Sequence, residues 1–174
     1  GDTATPVDVL IVADRSGSMA NNSKWANLKE GVTSFISTIK EHDLQEMIHV
    51  GYVSFAASAS STNSQTVGTK SIPIGNVDNN DIISQLSYKP TGGTNTHAGL
   101  LEAQNILKLS QRADTKTIIV LLTDGVPTYH YQITEVTPVS EGSEEHLVTG
   151  VDKNVTTGSG NRASLKTSED ESIS

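Results

Sequence analysis

Cysteine is absent from all 174 residues, which excludes disulfide staples and thiolate metal sites but leaves the compartment open. No apolar run approaches the ~20 residues that span a bilayer, and no signal-peptide pattern is present. Basic side chains are scarce. Twelve Lys and Arg stand against twenty Asp and Glu, a formal net charge of −8, and no Lys/Arg cluster offsets it, which argues against nucleic acid as a partner. The phosphate loop G-x-x-x-x-G-K-[ST] does not occur, nor does the strand–Gly-x-Ser-x-Gly–helix elbow of a serine hydrolase. The start at Gly1 instead of Met reads as a processed or excised piece, and the Ser/Thr/Asn-rich texture leans outward from the cytoplasm.

The length suits one domain with a sizeable core. Val7–Ala13 is continuously apolar, the pattern of a central parallel strand covered on both faces. Lys24–Lys40 follows as an amphipathic helix with Trp25, Leu28, Val32, Phe35, Ile36 and Ile39 inward and Ser23 as its expected N-cap. His49–Phe55 reads as a second strand and Gln65–Ile74 as a third, which Pro73 places at an edge. A short helix is expected over Asp78–Leu86, with Ile82, Ile83 and Leu86 inward. A longer one runs over His97–Ser110, with Leu100, Ala103, Ile106 and Leu107 as its buried stripe. Thr117–Thr123 is a second fully apolar strand and stops at Asp124-Gly125. Alternating strands and helices predict an α/β, doubly wound, mostly parallel sheet flanked by helices. Residues 135–174 carry eight acids against Lys153, Arg162 and Lys166, a net of −5, which leaves −3 for the first 134. Residues 127–174 show only short alternating pieces, and are expected to form a polar acidic arm or a flexible extension.

The loop after the first strand, Asp14-Arg15-Ser16-Gly17-Ser18, sets a carboxylate and two hydroxyls two residues apart. Oxygen donors of this kind suit a small hard cation such as Mg2+. They equally suit a tight turn whose polar side chains cap the next helix. In an open α/β sheet, ligands gather at the carboxyl ends of the strands where the crossovers diverge. Asp14, Asp124 and the Gly92-Gly93-Thr94 loop would all meet there if the two apolar strands are neighbours.

Asp14-Arg15-Ser16-Gly17-Ser18, Gly93-Thr94-Asn95-Thr96 and Leu122-Thr123-Asp124-Gly125 resemble, in order and setting, the three metal-site loops of von Willebrand factor type A domains. The resemblance covers residues 7–126 and assigns residues 1–126 to the first part of such a domain. It implies a Rossmann-like fold and a metal-ion-dependent adhesion site. Ser16, Ser18 and Thr94 would be metal-facing hydroxyls, and Asp14 and Asp124 carboxylates that often act through water. The implied ion is Mg2+, with Mn2+ or Ca2+ as alternatives. With two carboxylates only, such an ion stays incompletely neutralised and draws an acidic side chain from a partner. The run Asp8-Val9-Leu10-Ile11-Val12-Ala13-Asp14-Arg15-Ser16-Gly17-Ser18-Met19 looks most like that of the tip adhesins of sortase-assembled pili on Gram-positive bacteria, a preference the polar, acidic segment after Asp124-Gly125 strengthens. That likeness implies a place on the bacterial surface, a host matrix or cell-surface protein as partner, and other pilus subunits as neighbours. The alternative within the family is an intracellular module docking onto an ATPase or chelatase assembly.

A type A domain implies two further strand–helix units after Asp124. Without them the strand at 117–123 is expected to present an apolar edge, and the C-terminal part of the fold to be missing from this chain. An enzyme reading would join Ser16 or Ser18 to His97 and Asp124 as a triad. It is disfavoured because His97 opens a helix and no nucleophile elbow is present. His42, His49, His130 and His146 share no metal-ligand spacing. The reading is therefore a non-enzymatic, metal-dependent adhesion domain. Asp14→Ala is expected to abolish divalent-dependent binding while leaving the fold largely intact.

Overall fold

A computed structural model describes residues 5–56, 71–110, 112–124, 129–138, 140–142 and 146–158. Strand β1 (Val7–Asp14) leads through a 3-10 turn (Gly17–Ala20) into helix α1 (Lys24–Glu41), then β2 (Ile48–Phe55) and β3 (Ile72–Gly75). Helices α2 (Ile82–Gln85) and α3 (Thr96–Ser110) follow, then β4 (Lys116–Leu122) and a pair of strands, β5 (Tyr129–Pro138) and β6 (His146–Gly158). The main sheet has the order β3-β2-β1-β4. β1 runs parallel to both β2 and β4, and β3 is antiparallel to β2. The sheet is thus mixed, mostly parallel and flanked by helices, as the alternation of elements predicts.

β1 is buried along nearly its whole length because its neighbours and both helix layers cover it. Its alternate residues serve two cores. Val9, Ile11 and Ala13 pack with Trp25, Leu28, Val32, Ile36 and Ile39 of α1 and with Ile82 and Leu86. Leu10 and Val12 pack on the other face with Val53, Phe55 and, from α3, Ala98, Ala103 and Ile106. The apolar spacing of α1 (25, 28, 32, 36, 39) is that of a single helical stripe. The helix stops in a Schellman arrangement: Asp43 adopts φ 54°, Asp43 N donates to Lys40 O at 3.2 Å, and Leu44 N donates to Ile39 O at 2.9 Å.

Four expectations need correction. Ser23 stands at the N-cap position of α1 but makes no side-chain cap bond, because its backbone is left-handed (φ 60°) instead of the extended conformation a capping residue adopts. α2 is a single turn, in which Ile83 is exposed and Gln85 is buried in its place. In α3 the stripe is Gly99, Ala103 and Ile106, and Leu100 lies one residue off it, 44% exposed. Gly99 lets that face close on the sheet, since an added Cβ would sit 2.5 Å from Cδ1 of Phe55. The third strand spans only Ile72–Gly75, and residues 65–70 of its expected span lie outside the described residues. Pro73 does sit on an edge strand, as its missing N–H requires.

β4 forms the opposite edge of the main sheet, with Ile118, Ile119 and Leu121 each at least 40% exposed. β5 and β6 pair antiparallel as a separate two-stranded sheet, with β5 passing close to α3. Among the described residues no helix is long and apolar enough to cross a membrane.

Candidate functional site

The parallel register brings the carboxyl ends of β1 and β4 to one edge. β1 sends its crossover to β2 on one side, and β4 lies on its other side, so the crevice between them is the topological switch point of the sheet. Pairing of Ala13 with Leu122 is the last rung of the ladder. One residue further on, Asp14 meets Thr123, and Asp124 lies just above.

Asp14 is fully buried and both of its oxygens are engaged. Oδ1 accepts from Ser16 N–H at 2.8 Å, which folds the loop back on itself, and Oδ2 accepts from Thr123 Oγ1 at 2.7 Å, which ties β1 to the end of β4. Ser16 Oγ and Ser18 Oγ lie 3.2 Å apart, and Ser18 Oγ donates to Asp124 Oδ1 at 3.2 Å. The other oxygen of Asp124 accepts from Lys24 Nζ at 2.6 Å. Burial pushes the Asp124 carboxyl up, but the hydrogen bond and charge of Lys24, together with the Ser18 hydroxyl, outweigh it and hold the group below its usual range.

The Thr94 loop is fixed to the same rim by backbone bonds. Thr91 N donates to Arg15 O and Gly17 N to Gly92 O, both at 2.9 Å, and Asn95 N donates to Ala56 O at 2.6 Å. The side chain of Asn95, buried at 0% exposure, caps α3 by accepting from Ala98 N at 2.9 Å. Thr94, two residues past Gly92, is held buried between these anchors. Beneath the loop the Arg15 guanidinium is buried and donates to Lys89 O at 2.7 Å. Burial lowers its pKa, against a raising influence from Tyr52.

Asp14, Ser16, Ser18 and Asp124 therefore share one connected network, and Thr94 stands on a segment pinned to that network's backbone. Ser16 bonds to Ser18, Ser18 to Asp124, and Asp124 to Lys24. Among the described residues no group of three or more His, Cys, Asp or Glu stands ready to hold a metal. Any ion in the crevice would have to use hydroxyls. Two contributors went unseen in the sequence. In the sequence Lys24 marks only the start of a helix, although a cation in a first helical turn opposes the dipole and so asks for a partner. Thr123 was read as the end of a strand, and only the β1–β4 register shows that it faces Asp14.

No curated protein matches the sequence. Among solved structures the chain is similar to the pilus adhesin SpaC from Lactobacillus rhamnosus GG, at 27% identity and a TM-score of 0.73, covering 92% of this chain and 20% of that one. It is also similar to the vWF domain of the type V pili tip protein Mfa5 from Porphyromonas gingivalis, at 23% identity and a TM-score of 0.62, covering 78% of this chain and 43% of that one. A third likeness is to the adhesive tip pilin GBS104 from Group B Streptococcus agalactiae, at 21% identity and a TM-score of 0.59, covering 90% and 38%. The last two carry the fold alone. This chain thus spans about a fifth of the length of SpaC. The resemblance to pilus adhesins carried by Asp8–Met19 agrees with the likeness to SpaC. Residues 9–126 match the von Willebrand factor type A domain, and the chain belongs to that family.

Proposed function

We propose that this domain is a metal-dependent adhesion module of a bacterial surface pilus, engaging an acidic side chain of a host matrix or cell-surface protein. The observation that supports the proposal is the meeting of the Asp14–Ser18 loop with Asp124 at the β1–β4 switch point, with the backbone of the Gly92–Thr94 segment bonded to the same rim. The donor set fits Mg2+: it is all oxygen, it holds only two carboxylates, and hydroxyls 3.2 Å apart face the crevice. Ser16, Ser18 and Thr94 would hold the ion directly, with Asp14 and Asp124 set behind them. When bound, Mg2+ supplies a coordination position that an acidic oxygen of the partner completes. The chain's own residues prepare that position. Asp14 locks the loop, the Gly17–Gly92 and Arg15–Thr91 backbone bonds hold the two rims together, and Ser18 orients Asp124. Other pilus subunits as partners and a place at the pilus tip belong to the same proposal, which the likeness to the pilus adhesin SpaC supports.

The test is calorimetric titration of Mg2+ into wild type, Ser16→Ala and Thr94→Val, followed by binding to immobilised matrix proteins with and without EDTA. Weak Mg2+ binding to wild type, weaker still in both variants, and EDTA-sensitive adhesion are expected. Adhesion that persists in EDTA and in Ser16→Ala would refute the mechanism. Turnover of an ester or phosphate substrate that is lost in Ser16→Ala would point to an enzyme instead.

A further inference from the structure

We propose that the Lys24 ammonium is a built-in competitor for the cation position at Asp124, seated there until a divalent ion displaces it. The idea rests on the metal reading above. Lys24 opens α1, and its Nζ donates to Asp124 Oδ2 at 2.6 Å while Ser18 Oγ holds Oδ1. The Lys24 side chain is 36% exposed, so the ammonium can swing into solvent. Two features distinguish this from a casual surface pair. The contact joins residues a hundred positions apart, on the same carboxylate that Ser18 of the first loop holds. It also holds a cation against the positive end of a helix that has no acidic residue in its first turn.

An ammonium is a compact cation with three donors, able to satisfy a carboxylate much as a hard metal ion does. A divalent ion must break a charge-assisted hydrogen bond to gain Asp124. Lys24 therefore lowers the metal affinity of the site and keeps Asp124 paired when no metal is present. Once released, the ammonium remains tethered at the rim and adds attraction for an acidic partner.

The test uses the whole chain and Mg2+ alone. Lys24→Met is expected to bind Mg2+ about fivefold more tightly than wild type, the upper end for a partly exposed ion pair. Lys24→Arg, which keeps the positive charge and N–H donors for Asp124, should stay near wild type. In wild type, saturating Mg2+ should raise the rate at which an amine-reactive reagent labels Lys24, as read by mass spectrometry. A Lys24→Met protein that binds Mg2+ no better than a binding-competent wild type, or Lys24 labelling unmoved by Mg2+, overturns the competition while leaving the metal site standing. Absence of Mg2+ binding in both proteins overturns the metal site itself, and the competition with it.

Discussion

Replacing Asp14 by Ala separates what this carboxylate does for the fold from what it does for an ion. The sequence suggested a side chain facing the crevice, expendable for folding. The structure instead buries it completely and gives both oxygens internal partners. Ser16 is itself buried, so its amide has no route to water once the acceptor is gone. A buried donor left in that state costs about 1–3 kcal/mol. The Thr123 hydroxyl sits at an exposed position and can turn to solvent, so its loss adds little. Removing a buried charge offsets part of the total, leaving a net destabilisation of about 2 kcal/mol. For a domain of this size that lowers the melting temperature by about 4–8 °C. Measurement in EDTA keeps any metal contribution out. Asp14→Asn retains an acceptor for the Ser16 amide and should lose less than half as much. A melting temperature for Asp14→Ala within a degree of wild type would refute the argument. Equal losses in the Asn and Ala variants would show that the charge, and not the acceptor at Ser16, is what matters. Loss of adhesion in Asp14→Ala therefore cannot by itself identify a metal ligand, whereas Ser16→Ala, which removes a hydroxyl bonded to Ser18 and leaves the Ser16 amide bond to Asp14 in place, can.

At the other end of β1, Arg112 donates through Nε to Asp8 Oδ1 at 2.9 Å and through its terminal nitrogens to the carbonyls of Glu46, Val7 and Met47, with Asp8 at 0% exposure. Arg112→Met strands a buried carboxylate and should cost about 3–5 kcal/mol in urea unfolding. Adding Asp8→Asn should recover a clear part of that loss, and a purely additive double variant would show that the pair is not coupled. His49 titrates below its usual value because burial disfavours its charged form and the Arg112 charge adds to this, against opposing pulls from Asp8 and Glu46. Its Nε2 is buried without a hydrogen-bond partner among the described residues. The unfolded chain therefore takes up a proton near pH 6.5 that the folded chain resists. Stability should fall as pH drops through that value and level off below the depressed folded-state pKa. His49→Gln should flatten this part of the profile, and an unchanged slope in that variant would contradict the assignment.

Legibility in the sequence followed the range of the interactions. β1, α1 and β2 were readable because their signals are local: a continuous apolar run, a single stripe at helical spacing, a second run of the right length. What covers a strand is not local. Ile118-Ile119-Val120-Leu121-Leu122 reads as apolar throughout, and only the sheet order shows that it lies at an edge with Ile118, Ile119 and Leu121 exposed. The stripe of α3 was misplaced by one residue at Leu100 because Gly99, which contributes no apolar side chain, marks the packed face by what it lacks. At the site, the oxygen-bearing residues were visible as motifs. Their partners Thr123 and Lys24 were not, because each is defined by a contact about a hundred residues away in the chain.

The bonds around the crevice bear on how such a site would work. Its two rims are joined by main-chain hydrogen bonds, its first loop is closed by Asp14 onto Ser16, and its second loop is fixed by the cap at Asn95. None of these bonds involves an ion, so the donors are already gathered by the protein itself. A preorganised site need not spend binding energy on ordering loops, so its affinity is set by the donors and by what competes for them. Here the donors are weak: the hydroxyls are neutral, one carboxylate is committed to internal bonds, and the other is paired with Lys24. A crevice with this balance would hold a bare divalent ion loosely. A charged oxygen brought by a partner would then supply the missing part of the coordination, making metal and partner binding mutually reinforcing. An adhesion contact gains from that coupling, because the ion is held firmly only where the partner is present.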